Sequence, residues 1–295
     1  MKKIVILGCE NSHAGIFLNY IRDNKKYSDV EVLGVYSDEH DAMVELNKTY
    51  GVKIMSSFDE FAGQVDGVIN VARNGANHLK FNKPYFANGV SMFLDKPITV
   101  SQEDALTLIE LAKKNNVKLT GGSCLRFEKP VIDMRNDLIN EVDGKTLGGL
   151  VRSPYDTKNN YGGYFFYSQH LVEVLTYIFG KFPKSVKAYV NGPVATVVFR
   201  YENYDVTGVY TDDGIDGYYC VRLAENGVKC SRYFTDDYGS GMDSFEKEFD
   251  EFYQLLSGAP QVADMKEFIA PVFILNAINR SINSGKEEIV EEYNV

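Results

Sequence analysis

The sequence predicts an α/β fold. A doubly wound, parallel, Rossmann-type N-terminal domain is followed by an α+β C-terminal domain with a mainly antiparallel open sheet. Three observations carry this reading. Short apolar runs alternate with helical patterns through the first 121 residues, the mark of βαβ units with right-handed crossovers. The alternation stops near Gly122. From Ser185 to Phe234, strand follows strand with short turns such as Asn226-Gly227, which is an antiparallel pattern. The expected domains are residues 1–121 and residues 122–295.

In order, Lys3 to Leu7 reads as a buried first strand ended by Gly8, and Asn11 and Ser12 are N-caps for a helix over Ala14 to Ile21. Val30 to Tyr36 is a second strand, with a helix over Asp41 to Tyr50. Gly51 to Ile54 reads as a short third strand, and Ser57 caps a turn over Phe58 to Ala62. Asp66 to Val71 is a fourth strand. A helix over Asn77 to Asn88 is interrupted by Pro84. Ser91 to Leu94 is a fifth strand, Ser101 caps an amphipathic helix over Glu103 to Asn115, and Lys118 to Thr120 is a sixth strand.

In the second half, Glu128-Lys129-Pro130 opens a helix through Ile139, with proline in its first turn. Gly144 to Gly163 has little apolar periodicity and reads as a loop. His170 opens a helix to Ile178 that stops at Gly180. Strands are expected over Val186 to Val190, Ala195 to Tyr201, Val206 to Thr211, Tyr218 to Leu223 and Val228 to Phe234. Asp243 to Leu256 is an amphipathic helix whose Phe245, Phe249, Phe252 and Leu256 form a core stripe. A last helix covers Ala263 to Asn283, and residues 287–292 form a short strand with a solvated end.

The chain has 295 residues, 44% of them hydrophobic, and a formal net charge of −10. Nucleic acid and anionic membranes need a cationic face, so both are poor partners. No apolar run reaches the length of a membrane span, and the first strand is too short for a signal h-region. A cytoplasmic protein is expected. The cysteines, Cys9, Cys124, Cys220 and Cys230, are far apart and read as free thiols, with no metal site. One face of the antiparallel sheet is too apolar for water, which predicts a partner on that sheet.

The chemistry concentrates after the fifth strand, at Asp95-Lys96-Pro97. Proline ends the ladder there, leaving Lys96 at the carboxyl edge, where open α/β sheets bind ligands. A lysine at that edge can hydrogen-bond a substrate oxygen or donate a proton. At the first turn a dinucleotide fingerprint would need glycines at 8, 10 and 13, and the residues are Gly8, Glu10 and His13. The helix N-terminus still suits a phosphate. A Glu10 carboxylate about 5 Å from the pyrophosphate, at an effective dielectric of about 20, costs roughly 3 kcal/mol unless it turns away. After the second strand, Ser37-Asp38 occupies the ribose position. Asp38 either binds a 2′-hydroxyl, favouring NAD over NADP, or caps the following turn.

Asn77-His78, Gly89, Phe93-Leu94-Asp95-Lys96-Pro97, Arg126-Phe127 and Gly162-Gly163 to His170 occur in one ordered series. The series resembles the Gfo/Idh/MocA family of NAD(P)-dependent sugar and inositol dehydrogenases, over nearly the whole chain. The family normally shows Glu-Lys-Pro, and Phe166 stands where it has an acid four residues before its histidine. The resemblance implies that Lys96 contacts the reacting oxygen and the nicotinamide, and that His170 is a general base. It also implies that the final helix packs back near the first domain. The expected cofactor contacts are Gly8, Cys9, Glu10, Asn11, Ser12, Ser37, Asp38, Ala72, Arg73, His78, Asp95, Lys96 and Arg126. The expected substrate contacts are Lys96, Arg126, Tyr155, Tyr164 and His170. Three functions follow in order: a dehydrogenase for a sugar, polyol or related cyclic alcohol; a nucleotide- or sugar-binding regulatory protein without turnover; and a structural dimer with a vestigial cleft.

Overall fold

Ile4 to Leu7 have no exposed surface, as a strand covered on both faces requires. The structure is a computed structural model that describes residues 1–86, 89–212, 217–233 and 238–294. The chain forms two compact units, Met1–Gly122 with Phe245–Phe268, and Ser123–Ser244 with Ile269–Asn294.

In the first unit, β1 (Lys2–Leu7) lies between β2 (Val30–Tyr36) and β3 (Gly67–Asn70), followed by β4 (Ser91–Asp95) and β5 (Lys118–Gly122). All neighbours are parallel. The order β2-β1-β3-β4-β5 is doubly wound, with its switch point between β1 and β3. Helices α1 (Ser12–Asp23) and α2 (His40–Tyr50) send Phe17 and Met43 into one buried cluster with Ile4, Ile6 and Phe93. On the opposite face α3 (Ala76–Asn82) reaches the sheet, where Asn82 Nδ2 lies 3.6 Å from Met92 Sδ. Helix α4 (Gln102–Lys114) is capped by Ser101, whose Oγ accepts from the Asp104 amide at 3.1 Å.

Two expectations for this unit change. The sheet has five strands, because the segment over Gly51 to Ile54 makes only an isolated bridge between Ile54 and Val35. Gly51, left-handed at φ 71°, is spent on ending α2. The helix expected over Asn77 to Asn88 ends at Asn82, with a 3₁₀ turn over Lys83–Tyr85 at Pro84, and Asn88 lies outside the described residues.

In the second unit, α5 (Lys129–Ile139) precedes β6 (Thr146–Pro154) and α6 (Phe165–Phe179). Strands β7 (Ser185–Asn191), β8 (Val194–Arg200), β9 (Asp205–Thr211), β10 (Tyr218–Ala224) and β11 (Gly227–Tyr233) follow. Helices α7 (Tyr238–Leu256) and α8 (Met265–Ser284) and strand β12 (Glu287–Ile289) complete the chain. The sheet order is β11-β10-β6-β9-β8-β7-β12, antiparallel except between β6 and β9. Its inner positions, among them Ala195, Val197, Phe199, Val206 and Tyr210, are buried, whereas Val194, Val198 and Val209 on the other face are half-buried.

β6 sits inside the stretch expected as a loop. Its apolar period is broken because Gly149 leaves room for the Phe179 ring: a Cβ at Gly149 would lie 2.3 Å from Phe179 Cζ. α6 begins at Phe165, five residues before the expected start at His170. Phe234, the expected end of the last strand of the run, lies outside the described residues.

The segment that rejoins the first unit is Phe245–Phe268, which includes most of α7, whereas α8 from Ile269 belongs to the second unit. The physical reason is the aromatic stripe: Phe249 packs 5.3 Å from Phe17 and 4.8 Å from Tyr27, and Phe252 is fully buried in the same cluster. Among the described residues no helix is long and apolar enough to cross a membrane.

Candidate active site

In the first unit the chemistry gathers at the carboxyl edge. Gly8 turns the chain out of β1 at φ 73°, and a Cβ there would lie 2.1 Å from Ala72 Cα. Only glycine permits this approach of the loops after β1 and β3. Asn11 caps α1, its Oδ1 accepting from the His13 amide at 3.2 Å, while its Nδ2 donates to Asp95 Oδ2 at 2.8 Å. His13 Nδ1 lies 3.1 Å from the same oxygen. The Lys96 amide donates to Asp95 Oδ1 at 2.7 Å. Burial pushes the Asp95 carboxyl up, but the His13 and Lys96 charges and their hydrogen bonds outweigh it and hold the group below its usual range.

Asp95 is thus a buried anchor for the first turn of α1, with its oxygens turned to protein donors. Lys96 follows it directly, is 5% exposed, and precedes a cis peptide to Pro97. Pro97 packs so closely on Gly75 that a Cβ there would lie 2.6 Å from Pro97 Cγ.

Glu10 turns sideways. Its Oε2 accepts from the Ser37 hydroxyl at 2.6 Å and its Oε1 from the Arg73 amide at 3.0 Å. The carboxylate bridges the ends of β2 and β3 at the switch point. Ser37 is buried, and Asp38 is exposed and accepts from the Tyr36 hydroxyl at 2.9 Å. Beside them a recess of about 670 Å³ is lined by Tyr36, Ser37, Asp38, His40, Lys53 and Glu60, among others. Cys9 is buried, which pushes its thiol up to about 12.

His78, expected at the cofactor, is a brace. It has no exposed surface, and its Nδ1 and Nε2 lie 3.0 and 2.9 Å from the Ile98 and Ala72 carbonyl oxygens. α3 points it inward, where it ties together the loops that follow β3 and β4. Burial drives its pKa below 6.5, against the pull of those carbonyls and of Asp95 and Glu10. Ala72 is likewise fully buried.

In the second unit His170, 6% exposed, sits on α6 with Nδ1 2.6 Å from Ser123 Oγ. Ser123 is itself the cap of a 3₁₀ turn, its Oγ accepting from the Leu125 amide at 3.3 Å. One helical turn after His170, Glu173 Oε2 accepts from the Ser123 amide at 2.5 Å and Oε1 from Gln169 Nε2 at 2.6 Å. Burial raises the Glu173 carboxyl, although Lys181 and Arg126 pull it down. Arg126 lies over the Phe127 ring at 4.1 Å. Phe166 packs against Tyr161, tilted at 5.4 Å between centroids, and edge-on against Tyr167 at 4.7 Å.

The expected substrate set separates here. Tyr155 and Tyr164 line a cavity of about 550 Å³ with Lys158, Asp212 and Asn279, and neither His170 nor Arg126 lines it. The reason is β6: it ends at Pro154, so Tyr155 follows a strand rather than lying in an open loop, and its ring packs on Tyr210 at 5.1 Å. Sequence reasoning missed Ser123 as a partner of His170. Its signal was a serine before a short helical turn, an N-cap pattern that marks the turn and not the imidazole. His13 was read only as a missing glycine, and its proximity to Asp95 was not visible.

Residues 2–123 match the model of GFO_IDH_MocA, an oxidoreductase family with an NAD-binding Rossmann fold. Over those residues the resemblance drawn from the sequence is borne out, together with the Rossmann-type first half and the NAD(P) cofactor class. Glucose-6-phosphate 3-dehydrogenase of Bacillus subtilis (strain 168) is 24% identical over 213 residues, 66% of this chain and 59% of that one. The curated relatives are matched over only 47% and 59% of their own length. Myo-inositol 2-dehydrogenase from Lactobacillus plantarum superposes with a TM-score of 0.84 at 13% identity, covering 98% of this chain and 99% of that one. The WlbA dehydrogenase from Chromobacterium violaceum, solved with NADH and UDP-GlcNAcA, gives 0.80 at 15% identity, covering 99% and 97%. These structural likenesses establish a shared two-domain fold.

Proposed function

We propose that the protein is an NAD(P)-dependent oxidoreductase acting on a sugar, polyol or related cyclic alcohol in the cytoplasm. The observation that carries this is the carboxyl edge at the β1/β3 switch point, where the Gly8 turn, the start of α1, Ser37 and Lys96 are assembled. That edge fits a dinucleotide. The first-turn amides of α1 suit its phosphates, and the recess at Ser37 and Asp38 suits a ribose, with the Asp38 acid favouring NAD over NADP. The bound nicotinamide supplies the hydride acceptor or donor. Lys96 places an ammonium group against the substrate oxygen and exchanges its proton, and His170 hydrogen-bonds the substrate. Cys9, Asn11, Ser12, Ala72, Arg73 and Asp95 shape and charge the edge of the first unit, and Arg126 is a further cofactor and substrate contact. The half-buried face of the second sheet joins copies of the chain into a homodimer or homotetramer, a state that sedimentation equilibrium measures.

Fluorescence titration with NADH and NADPH, followed by turnover on a panel of sugars and polyols, tests the reading. Absence of binding to either nucleotide at millimolar concentration rejects it. One observation favours the second reading, a regulatory protein that binds nucleotide or sugar without turnover: Phe166, which packs against Tyr161 and Tyr167, stands four residues before His170 where the resembled family has an acid. Nucleotide binding without turnover on any member of the panel supports that alternative.

A further inference from the structure

We propose that Ser123 is a positioning residue that holds neutral His170 with its proton on Nε2, so that the imidazole serves as a hydrogen-bond donor that polarises a substrate oxygen and not as a base. The inference rests on the dehydrogenase reading for its function, but not for its geometry. It follows from a count of hydrogens around one buried hydroxyl.

Ser123 has no exposed surface. Among the described residues its Oγ has two neighbours within hydrogen-bond distance, the Leu125 amide at 3.3 Å and His170 Nδ1 at 2.6 Å. The Leu125 amide can only donate, so it consumes an oxygen lone pair. The single hydroxyl hydrogen is then directed to the one acceptor present, Nδ1. A neutral imidazole that accepts at Nδ1 carries its proton on Nε2. The opposite tautomer would aim Nδ1–H at Oγ and leave the buried hydroxyl hydrogen without an acceptor, a bias of at least about fivefold. Glu173 makes the arrangement rigid: it accepts from the Ser123 amide and from Gln169, which fixes the serine backbone one helical turn from His170.

A carboxylate before the histidine would act the other way, because it only accepts and so keeps the proton on Nδ1 and the lone pair on Nε2. Position 166 holds phenylalanine, engaged with Tyr161 and Tyr167. Replacing an acceptor-only partner by a hydroxyl donor inverts the polarity of the imidazole. The substrate class that suits an Nε2–H hydrogen-bond donor is the ketone form of a sugar or polyol, whose carbonyl oxygen it polarises while keeping its own proton; the alkoxide left by hydride addition takes its proton from an ammonium group, the role given to Lys96, which becomes the neutral amine.

Nitrogen-15 spectra of the imidazoles in the full chain test this without added nucleotide, His170 being assigned by the loss of its signals in His170→Gln. At a pH where the ring is neutral, the expected wild-type pattern has Nε2 protonated and Nδ1 bare. Ser123→Ala is expected to spread the proton over both nitrogens, and Ser123→Asp to move it to Nδ1. Should Ser123→Asp fail to fold, the comparison of wild type with Ser123→Ala decides. A wild-type proton on Nδ1, or identical spectra for wild type and Ser123→Ala, overturns the proposal. Because the spectra need neither nucleotide nor substrate, they stand or fall separately from the dehydrogenase reading, which the nucleotide titration decides.

Discussion

The Glu10 carboxylate and the Ser37 hydroxyl meet at 2.6 Å, which joins the loop after β1 to the end of β2 at the sheet's switch point. With the Arg73 amide on its other oxygen, the carboxylate is turned aside, yet its charge remains beside the start of α1. Glu10→Gln keeps an acceptor for Ser37 and removes the charge. From a Coulomb cost of roughly 3 kcal/mol at about 5 Å, reduced by that sideways turn, the dissociation constant for NADH is expected to fall about tenfold. Fluorescence titration measures it, and an unchanged constant removes Glu10 from the affinity argument.

Lys96 is the side chain whose loss is expected to stop turnover while sparing the fold. Lys96→Ala should lower kcat/KM by at least about 100-fold on any substrate the panel identifies. Its charge also helps to hold the Asp95 carboxyl down, so the variant shifts that group upward. Circular dichroism and nucleotide titration show whether the fold and the cofactor site persist. Turnover close to wild type would place the chemistry elsewhere.

His78 predicts a dependence of stability on pH. Burial lowers its pKa in the folded chain from the ordinary 6.5. A depressed histidine takes up its proton more readily when unfolded. Its contribution is therefore fully present above pH 6.5 and is lost as pH falls from 6.5 towards the folded value. The expected slope is up to about 1.4 kcal/mol per pH unit in that window. His78→Gln abolishes the titration, so denaturant unfolding should show a flatter pH profile even where the variant is less stable overall. Parallel profiles would show that His78 does not titrate on unfolding.

The fold was legible wherever burial is continuous. β1, β3 and β4 read as apolar runs because helices cover both faces, and the α7 stripe read as core because its phenylalanines recur on one face. Legibility failed where a contact partner lies far along the chain. Ser123 and His170 are 47 residues apart and neither announces the other. The Phe249 stripe named a core without saying which one, and it proved to be that of the first unit. β6 was hidden for a different reason: its glycines are needed by neighbours, so the strand carries no apolar period of its own.

That last point yields a test within the second unit. Gly149 lies on β6, paired with Arg222 of β10 and Val206 of β9. A Cβ there would meet Phe179 Cζ at 2.3 Å and the Val221 carbonyl oxygen at 2.5 Å, and the backbone oxygen cannot move without disturbing the ladder. Overpacking of this kind typically costs about 1–3 kcal/mol, which lowers the melting temperature by roughly 3–10 °C in a unit of this size. Gly149→Ala is expected to show that drop by calorimetry. Phe179→Leu removes the ring and should recover part of the loss in the double variant, since contacting residues couple. NADH binding should be unchanged, because neither residue belongs to the first unit. A Gly149→Ala protein as stable as wild type would mean that β6 does not approach α6 as closely as these distances require.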